Sequence, residues 1–261
     1  MTRFHYNSIL LAFAAALLSS AHMVPYRAFA EEEKTLNILI VTGGHGFDEK
    51  TFYGIFDQMP GIHYDKISLP ADMDRLAPGL EKEYDVLLTY DMNQFPVTEE
   101  QMENYARLIK AGMPLLVLHH SFCAYPNWAE YRKIAGGTWL YKPAEIDGKE
   151  WKVSSGKGNV SLVIDVADKN HPITQGIDSF TVVDEAYQDI YIRSDVHVLL
   201  STSNPEASPK VAWVDRYGEG AVFTLLLGHD KNTYENPSYQ KLLQQGIQWL
   251  ASQRKTLTDN K

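Results

Sequence analysis

An α/β fold built on a buried, mostly parallel sheet is what this 261-residue sequence predicts, and three observations predict it. The stretch from Met113 to Cys123 opens with Pro114, which cannot donate to a ladder. It continues as the apolar run Leu115 to Leu118 and ends in His119-His120-Ser121-Phe122-Cys123. Apolar on both faces, that run reads as a central strand covered by helices on each side. Ahead of it, segments alternate in the order strand, helix, strand, strand, helix, which asks for helical crossovers and parallel pairing. Two further apolar runs, Leu36–Val41 and Ala221–Leu227, also break into glycine and histidine at their ends. In open α/β sheets such carboxyl ends line the ligand crevice.

Residues 1–30 are expected to be a secretory signal peptide. Arg3 supplies the positive start, Ile9 to Leu18 is apolar but too short to span a bilayer, and Ala28-Phe29-Ala30 offers a cleavage site before Glu31. Cleavage nearer Ala21 is an alternative. Cys123 is the only cysteine, so no lipid-bearing Cys follows the leader and no intramolecular disulfide forms. The expectation is one domain over residues 31–261, in the periplasm of a Gram-negative bacterium, with no membrane span. The formal charge is −9, and losing Arg3 and Arg27 with the leader takes it to about −11. Such a balance argues against nucleic acid or an anionic membrane as partner. Fifteen Tyr and five Trp suit a sugar-binding cleft, and they equally suit a core.

In chain order, Leu36–Val41 is the first strand, and it breaks into Thr42-Gly43-Gly44-His45-Gly46. Glycines there free the loop for close approach to a ligand. There is no GxGxxG and no Lys-Ser/Thr, so no nucleotide is expected. A helix over Glu49–Gln58 stops at Pro60-Gly61. His63–Leu69 and Tyr84–Tyr90 are strands. Thr98 with Gln101 makes a capping box, with Glu99 and Glu100 in the first turn of a helix that runs to Gly112. After the central strand, a helix is expected over Pro126–Ile134, halted by Gly136-Gly137. Thr138 to Lys157 reads as irregular, with Trp139, Tyr141 and Trp151 as material for a lid or cleft wall. Val160–Val166 is a strand. Pro172 forces His171 out of helical conformation, making it a turn residue rather than a ligand. Phe180–Tyr191 is strand-like and carries Asp184 and Glu185, on a solvated face or entering a cleft. Val196–Ser201 and Lys210–Asp215 are strands, and Tyr217-Gly218-Glu219-Gly220 turns the chain into Ala221–Leu227. The last helix, Pro237–Ser252, puts Leu242, Leu243, Ile247 and Leu250 on one face.

Three strands therefore lead into histidine: Val41 into His45, Leu118 into His119-His120, and Leu227 into Gly228-His229. With Glu185 added, the set suits a divalent transition metal such as zinc, or a metal-free general acid and base pair. His45, His119 and His229 are the expected metal ligands. No HxH or HExxH spacing is present.

Val41-Thr-Gly-Gly-His45, Leu118-His-His120, Asp184-Glu-Ala-Tyr187 and Leu227-Gly-His-Asp230 followed by Trp249 resemble, in that order and spacing, the trehalose-utilisation (ThuA-like) family. The resemblance covers nearly all of the chain after the leader. It implies a class I glutamine-amidotransferase-like fold, a Rossmann-like three-layer α/β/α sandwich, and a link to glucosides oxidised at carbon 3. Amidotransferases of that fold carry a cysteine at the elbow after the central strand. Here His119 or His120 stands there and Cys123 lies further on, so Cys123 is expected to be a small buried side chain, not a nucleophile.

The leading expectation is thus a secreted enzyme, metal-assisted or not, that takes the carbon-2 proton of a 3-keto-glycoside supplied by a partner glycoside 3-oxidoreductase, forms the enolate, and breaks the glycosidic bond by elimination or hydrolysis. His119, His120, Glu185 and His229 are its candidate catalytic residues, with Glu185 or His120 as base. His45, His119 and His229 would hold a metal or the enolate, and Gly44, His45, Trp139, Tyr187 and Asp230 would line the substrate. The alternatives are a non-catalytic sugar-binding protein and a metal-dependent hydrolase of an ester or amide. Adjacent strand residues face opposite ways, so one of His119 and His120 is expected in the cleft and the other in the core, bonded to backbone.

Overall fold

A computed structural model describes Met1 and residues 35–254. The expected signal peptide and its cleavage site lie outside the described residues. From Leu36 the chain runs β1 (Leu36–Gly43), α1 (Glu49–Asp57), β2 (Ile62–Leu69), β3 (Val86–Asp91), α2 (Glu99–Lys110) and β4 (Leu115–Leu118). It continues with α3 (Ala129–Ala135), β5 (Gly137–Thr138), β6 (Ala144–Ile146), β7 (Lys149–Trp151), β8 (Ser155–Val166) and β9 (Phe180–Gln188). The last elements are β10 (Tyr191–Ile192), β11 (His197–Ser201), β12 (Lys210–Tyr217), β13 (Gly220–Leu225), α4 (Lys231–Tyr234) and α5 (Pro237–Ser252).

Nine strands form one sheet in the order β2-β1-β3-β4-β13-β12-β11-β8-β9. The five from β2 to β13 run parallel, and from β13 outward to β9 each neighbour is antiparallel. β4 lies between β3 and β13, with Leu115 level with both Leu87 and Val222, and all four of its residues are buried. Period-two alternation divides the parallel strands between two cores. Ile38, Ile40, Leu88, Leu116, Leu118 and Phe223 meet Phe52 and Phe56 of α1 and Leu242, Leu243, Ile247 and Leu250 of α5. Leu39, Leu87, Leu115, Val117 and Val222 meet Tyr105, Leu108 and Ile109 of α2 and Tyr131 and Ile134 of α3. Helices on both faces of a buried sheet make the expected Rossmann-like three-layer sandwich. Each such side chain contributes roughly 1.5–3 kcal/mol by leaving water.

The helix ends follow their side chains. Thr98 Oγ1 accepts from Gln101 N–H and Gln101 Oε1 accepts from Thr98 N–H, the reciprocal box that starts α2. Asn236 accepts from Ser238 and Tyr239 ahead of Pro237, and this sets the start of α5.

Three segments depart from expectation. The helix after β4 begins at Ala129 rather than Pro126, because Tyr125 turns the chain with φ +54° and Trp128 stands at the cap. The segment expected to be irregular folds into the hairpin β6–β7, closed by Asp147-Gly148, both at positive φ, and into β5, which pairs with β10. β8 starts at Ser155 instead of Val160. Its first half is polar and exposed, so it pairs through backbone to Gln188, Tyr187 and Ala186 without an apolar signature.

Candidate active site

The parallel strands end on one edge, and there the histidines meet. His119 directly follows β4 with φ +44°, a left-handed turn that a β-strand does not contain. The turn swings both neighbours to one centre. The expectation that one of the pair points away is therefore corrected, since adjacent residues diverge only while the strand stays extended. His119 does keep the backbone bond foreseen for a core member: its Nδ1–H donates to the Leu226 carbonyl at 2.6 Å. A carbonyl only accepts, so Nδ1 carries a proton. Nε2 lies 3.2 Å from the Tyr187 hydroxyl and 3.3 Å from both His229 Nδ1 and Glu185 Oε2.

Glu185 Oε2 is also 3.3 Å from His229 Nδ1. Burial opposes ionisation of Glu185, but hydrogen bonds to His119 and His229 outweigh it and hold the carboxyl below its ordinary range. The hydrogen bond to Glu185 raises the His229 imidazole above its ordinary value, against burial. His120 is 3% exposed and neither ring nitrogen has a partner. Burial, and then the neighbouring imidazoles, push its pKa down, so its ring is neutral. One donor atom from each of His119, His120, Glu185 and His229 lies within 4.8 Å of all the others.

His45 lies outside that set. It is exposed and stacks on His120 with ring centroids 4.0 Å apart. Of the three imidazoles expected to hold a metal, His119 and His229 are thus in the cluster, with His120 and Glu185 beside them in place of His45. Gly44 takes φ +76° with its α-carbon against the Met92 carbonyl, where a side chain would collide. It shapes the loop that presents His45.

The carboxylate next to Glu185 converges on the turn at His229. Asp184 is buried, and its Oδ2 accepts from Gly228 N–H at 2.7 Å while Oδ1 accepts from His229 N–H at 2.9 Å and Glu185 N–H at 2.8 Å. It ties the turn that carries His229 to β9. Gly228 adopts φ +130°, and a Cβ there would sit 2.7 Å from the Tyr239 hydroxyl, so only glycine makes this turn. In the sequence, Asp184 is not marked as a residue of the site. The same motif that named Glu185 contains it, but two of its three backbone partners lie far away in the chain.

Asp230, expected to line the substrate, caps α4 by accepting from Asn232 N–H at 2.8 Å. Tyr187 stacks on His119 at 5.1 Å, and Trp139 meets Tyr187 edge-on at 5.1 Å. Trp151 packs on Tyr191. His171 accepts from Ile173 N–H in its turn. Cys123 is buried, and burial pushes its thiol well above the ordinary range. Beneath the histidine turn, Ser121 Oγ donates to Asp91 Oδ1 at 2.7 Å and accepts from Asp91 N–H at 3.0 Å, pinning the turn to the end of β3.

Two ThuA-like proteins of known structure share this fold. One from Parabacteroides merdae superposes with a TM-score of 0.69 at 18% identity, over 87% of this chain and 94% of that one. One from Bacteroides uniformis gives 0.65 at 20% identity, over 88% and 97%. A cytoplasmic protein from Salmonella typhimurium gives 0.57 at 17% identity, over 84% and 100%. At these identities the likeness is one of fold. No curated protein matches the sequence. The family model for trehalose utilisation, ThuA, matches residues 56–250, a span that contains the central strand, both converging residue pairs and the turn at His229. With the ThuA-like structures on the same fold, that match makes the chain a member of the trehalose-utilisation family.

Proposed function

We propose that the chain is a carbohydrate-processing enzyme that cleaves 3-keto-glycosides after taking the proton from carbon 2. The observation that carries this reading is the centre itself: three imidazoles and a carboxylate gather donor atoms around one point, beside an exposed fourth imidazole. A ketone at carbon 3 acidifies the proton on carbon 2. A base takes that proton, and the electron pair moves into the C2–C3 bond and onto the ketone oxygen. The pair then returns to form a C1–C2 double bond, and the glycosidic oxygen leaves carbon 1 with its bonding electrons and takes up a proton. One base and one positively polarised group at the ketone oxygen suffice.

The donor set fits a divalent metal. His120 provides the test, because a buried neutral imidazole with two unpartnered nitrogens costs free energy unless something binds it. His119, His120, His229 and Glu185 would hold zinc, which when bound would supply the positive charge for the ketone oxygen. His45, exposed and on a glycine-rich loop, is then the imidazole left to take the carbon-2 proton. Without a metal, Glu185 is the base and imidazolium His229 the positive group. A plain sugar-binding protein would have no use for imidazoles packed this closely. Hydrolysis of an ester or amide would use the same donors, and the substrate profile separates it. The ketone would come from a glycoside 3-oxidoreductase. We place the reaction in the periplasm on the leader-like residues 1–30; among the described residues no helix is long and apolar enough to cross a membrane.

The test uses protein purified without chelator or affinity-tag nickel, analysed for metal and then given an aryl 3-keto-glucoside. Aglycone should appear, more slowly when carbon 2 carries deuterium. A chelator should stop its release and zinc should restore it. Turnover of esters or amides alone would shift the assignment to a hydrolase, and turnover of nothing to a binding protein.

A further inference from the structure

The turn that carries His229 is gripped from two sides. Asp184 accepts from the N–H groups of Gly228 and His229, and two phenols hold the carbonyls of the same two residues. The Tyr90 hydroxyl donates to the Gly228 carbonyl at 2.7 Å, and the Tyr234 hydroxyl to the His229 carbonyl at 3.2 Å. The two hydroxyl oxygens are themselves 2.6 Å apart. Because the Tyr90 hydrogen is on Gly228, that contact is made by the Tyr234 hydrogen, which is shared between the Tyr90 oxygen and the His229 carbonyl. Burial pushes both phenols above their ordinary range, so both stay protonated donors.

We infer, resting on the metal reading of the centre, that Tyr90 is a positioning residue: it fixes the turn at Gly228 and thereby keeps His229 Nδ1 among the other donor atoms. His229 faces His119 and Glu185 with Nδ1. That nitrogen is bonded to the ring carbon attached to Cβ, so it lies nearer the main chain than Nε2 does, and a shift of the turn moves it directly. Donor atoms of a metal site must stay within about 0.5 Å of their places. Packing alone holds this ring less than its neighbour, since the His229 side chain is 34% exposed and that of His119 is 0% exposed.

A third tyrosine separates touching the turn from holding it. Tyr239 is fully buried with its hydroxyl against Gly228, where a Cβ would sit 2.7 Å away, yet that hydroxyl has no hydrogen-bond partner among the described residues. The Tyr90 ring stacks on Phe52 at 4.4 Å and stands edge-on to His120 at 5.2 Å. Tyr90→Phe therefore retains the packing and removes only what the hydroxyl does.

Zinc affinity is measured by competition with a chromophoric chelator. Tyr90→Phe should bind zinc about 10–100-fold more weakly than the unaltered protein, the usual cost of losing a group that orients a metal ligand. Tyr239→Phe should bind it unchanged. Cobalt(II) in place of zinc should show an altered visible spectrum in Tyr90→Phe and not in Tyr239→Phe, a change in donor geometry that lost stability alone does not produce. Unchanged zinc affinity in Tyr90→Phe, or an equal loss in Tyr239→Phe, overturns the assignment. Should Tyr90→Phe not fold, Tyr234→Phe, which leaves the Tyr90 hydroxyl without its donor, decides in its place on the same two outcomes. If the unaltered protein binds no zinc, the metal reading fails, and a crystal structure of metal-free Tyr90→Phe decides the positioning role. His229 Nδ1 displaced from Glu185 Oε2 by more than about 0.5 Å retains it, and an unmoved ring removes it.

Discussion

The two halves of the sheet reach the same centre by different routes. The parallel half, β2 to β13, delivers His45, His119, His120 and His229 from the ends of strands, where the chain must turn in any case. The antiparallel half delivers Asp184, Glu185 and Tyr187 from within β9, whose pairing with β8 aligns them. Strand ends present donors with little further support, whereas donors within a strand depend on register across the whole sheet. The site is therefore not confined to the crevice that the parallel topology predicts.

Glu185→Gln breaks the comparison most directly. If the antiparallel half contributes chemistry, kcat should fall about 10²–10⁴-fold, as it should for His120→Ala from the parallel half. A tenfold or smaller loss in Glu185→Gln alone would reduce β9 to scaffolding. Next in size is Asp184→Asn, which sets an amide against N–H groups that now donate to a carboxylate. With a penalty of about 1–3 kcal/mol for each buried donor left unpaired, stability should fall by roughly 3 kcal/mol in urea titration, and turnover should fall with it. Lost stability with full turnover would show that His229 does not need this tether.

Asp91 sharpens the comparison from the parallel side. Burial raises its carboxyl from 3.8 to about 6. The folded state therefore holds a proton that the unfolded chain releases between these values, and folding stability is lost as pH rises from about 4 to about 6. Measured against Asp91→Asn, the unaltered protein should lose on the order of 2–3 kcal/mol across that interval and change little above it. A flat difference would mean that Ser121 and the nearby backbone keep the carboxylate ionised throughout. The smallest effect is Thr98→Ala, which removes a helix cap far from the centre. It should cost about 1 kcal/mol in thermal unfolding and leave kcat unaltered.

Legibility in the sequence divides along the same line. Ile38–Val41 and Leu115–Leu118 are buried on both faces and say so in their apolar runs, and Thr98 with Gln101 announces its helix. Ser155–Asn159 is strand by backbone pairing alone, so no side-chain pattern marks it. The Asp147-Gly148 pair is a hairpin signal, and it passes unread between strands of three residues each. At the centre, the histidines are legible because each ends an apolar run. That His119 and His120 converge is not, because it depends on a positive φ at a residue other than glycine. Asp184 reads as solvated for want of any local sign that Gly228 and His229 lie across from it.

β9 is the last strand of the sheet and is paired along one side only, to β8. Outermost strands open through local fluctuations at lower free energy than the interior does. Each such opening would release the carboxylate that the Gly228 and His229 amides depend on, so the amide protons at 228 and 229 should exchange with solvent at the rate of the edge and not of the core. Heat should accordingly inactivate the protein below the temperature at which the parallel half melts, which makes the edge strand, not the histidine crevice, the element that sets its working lifetime.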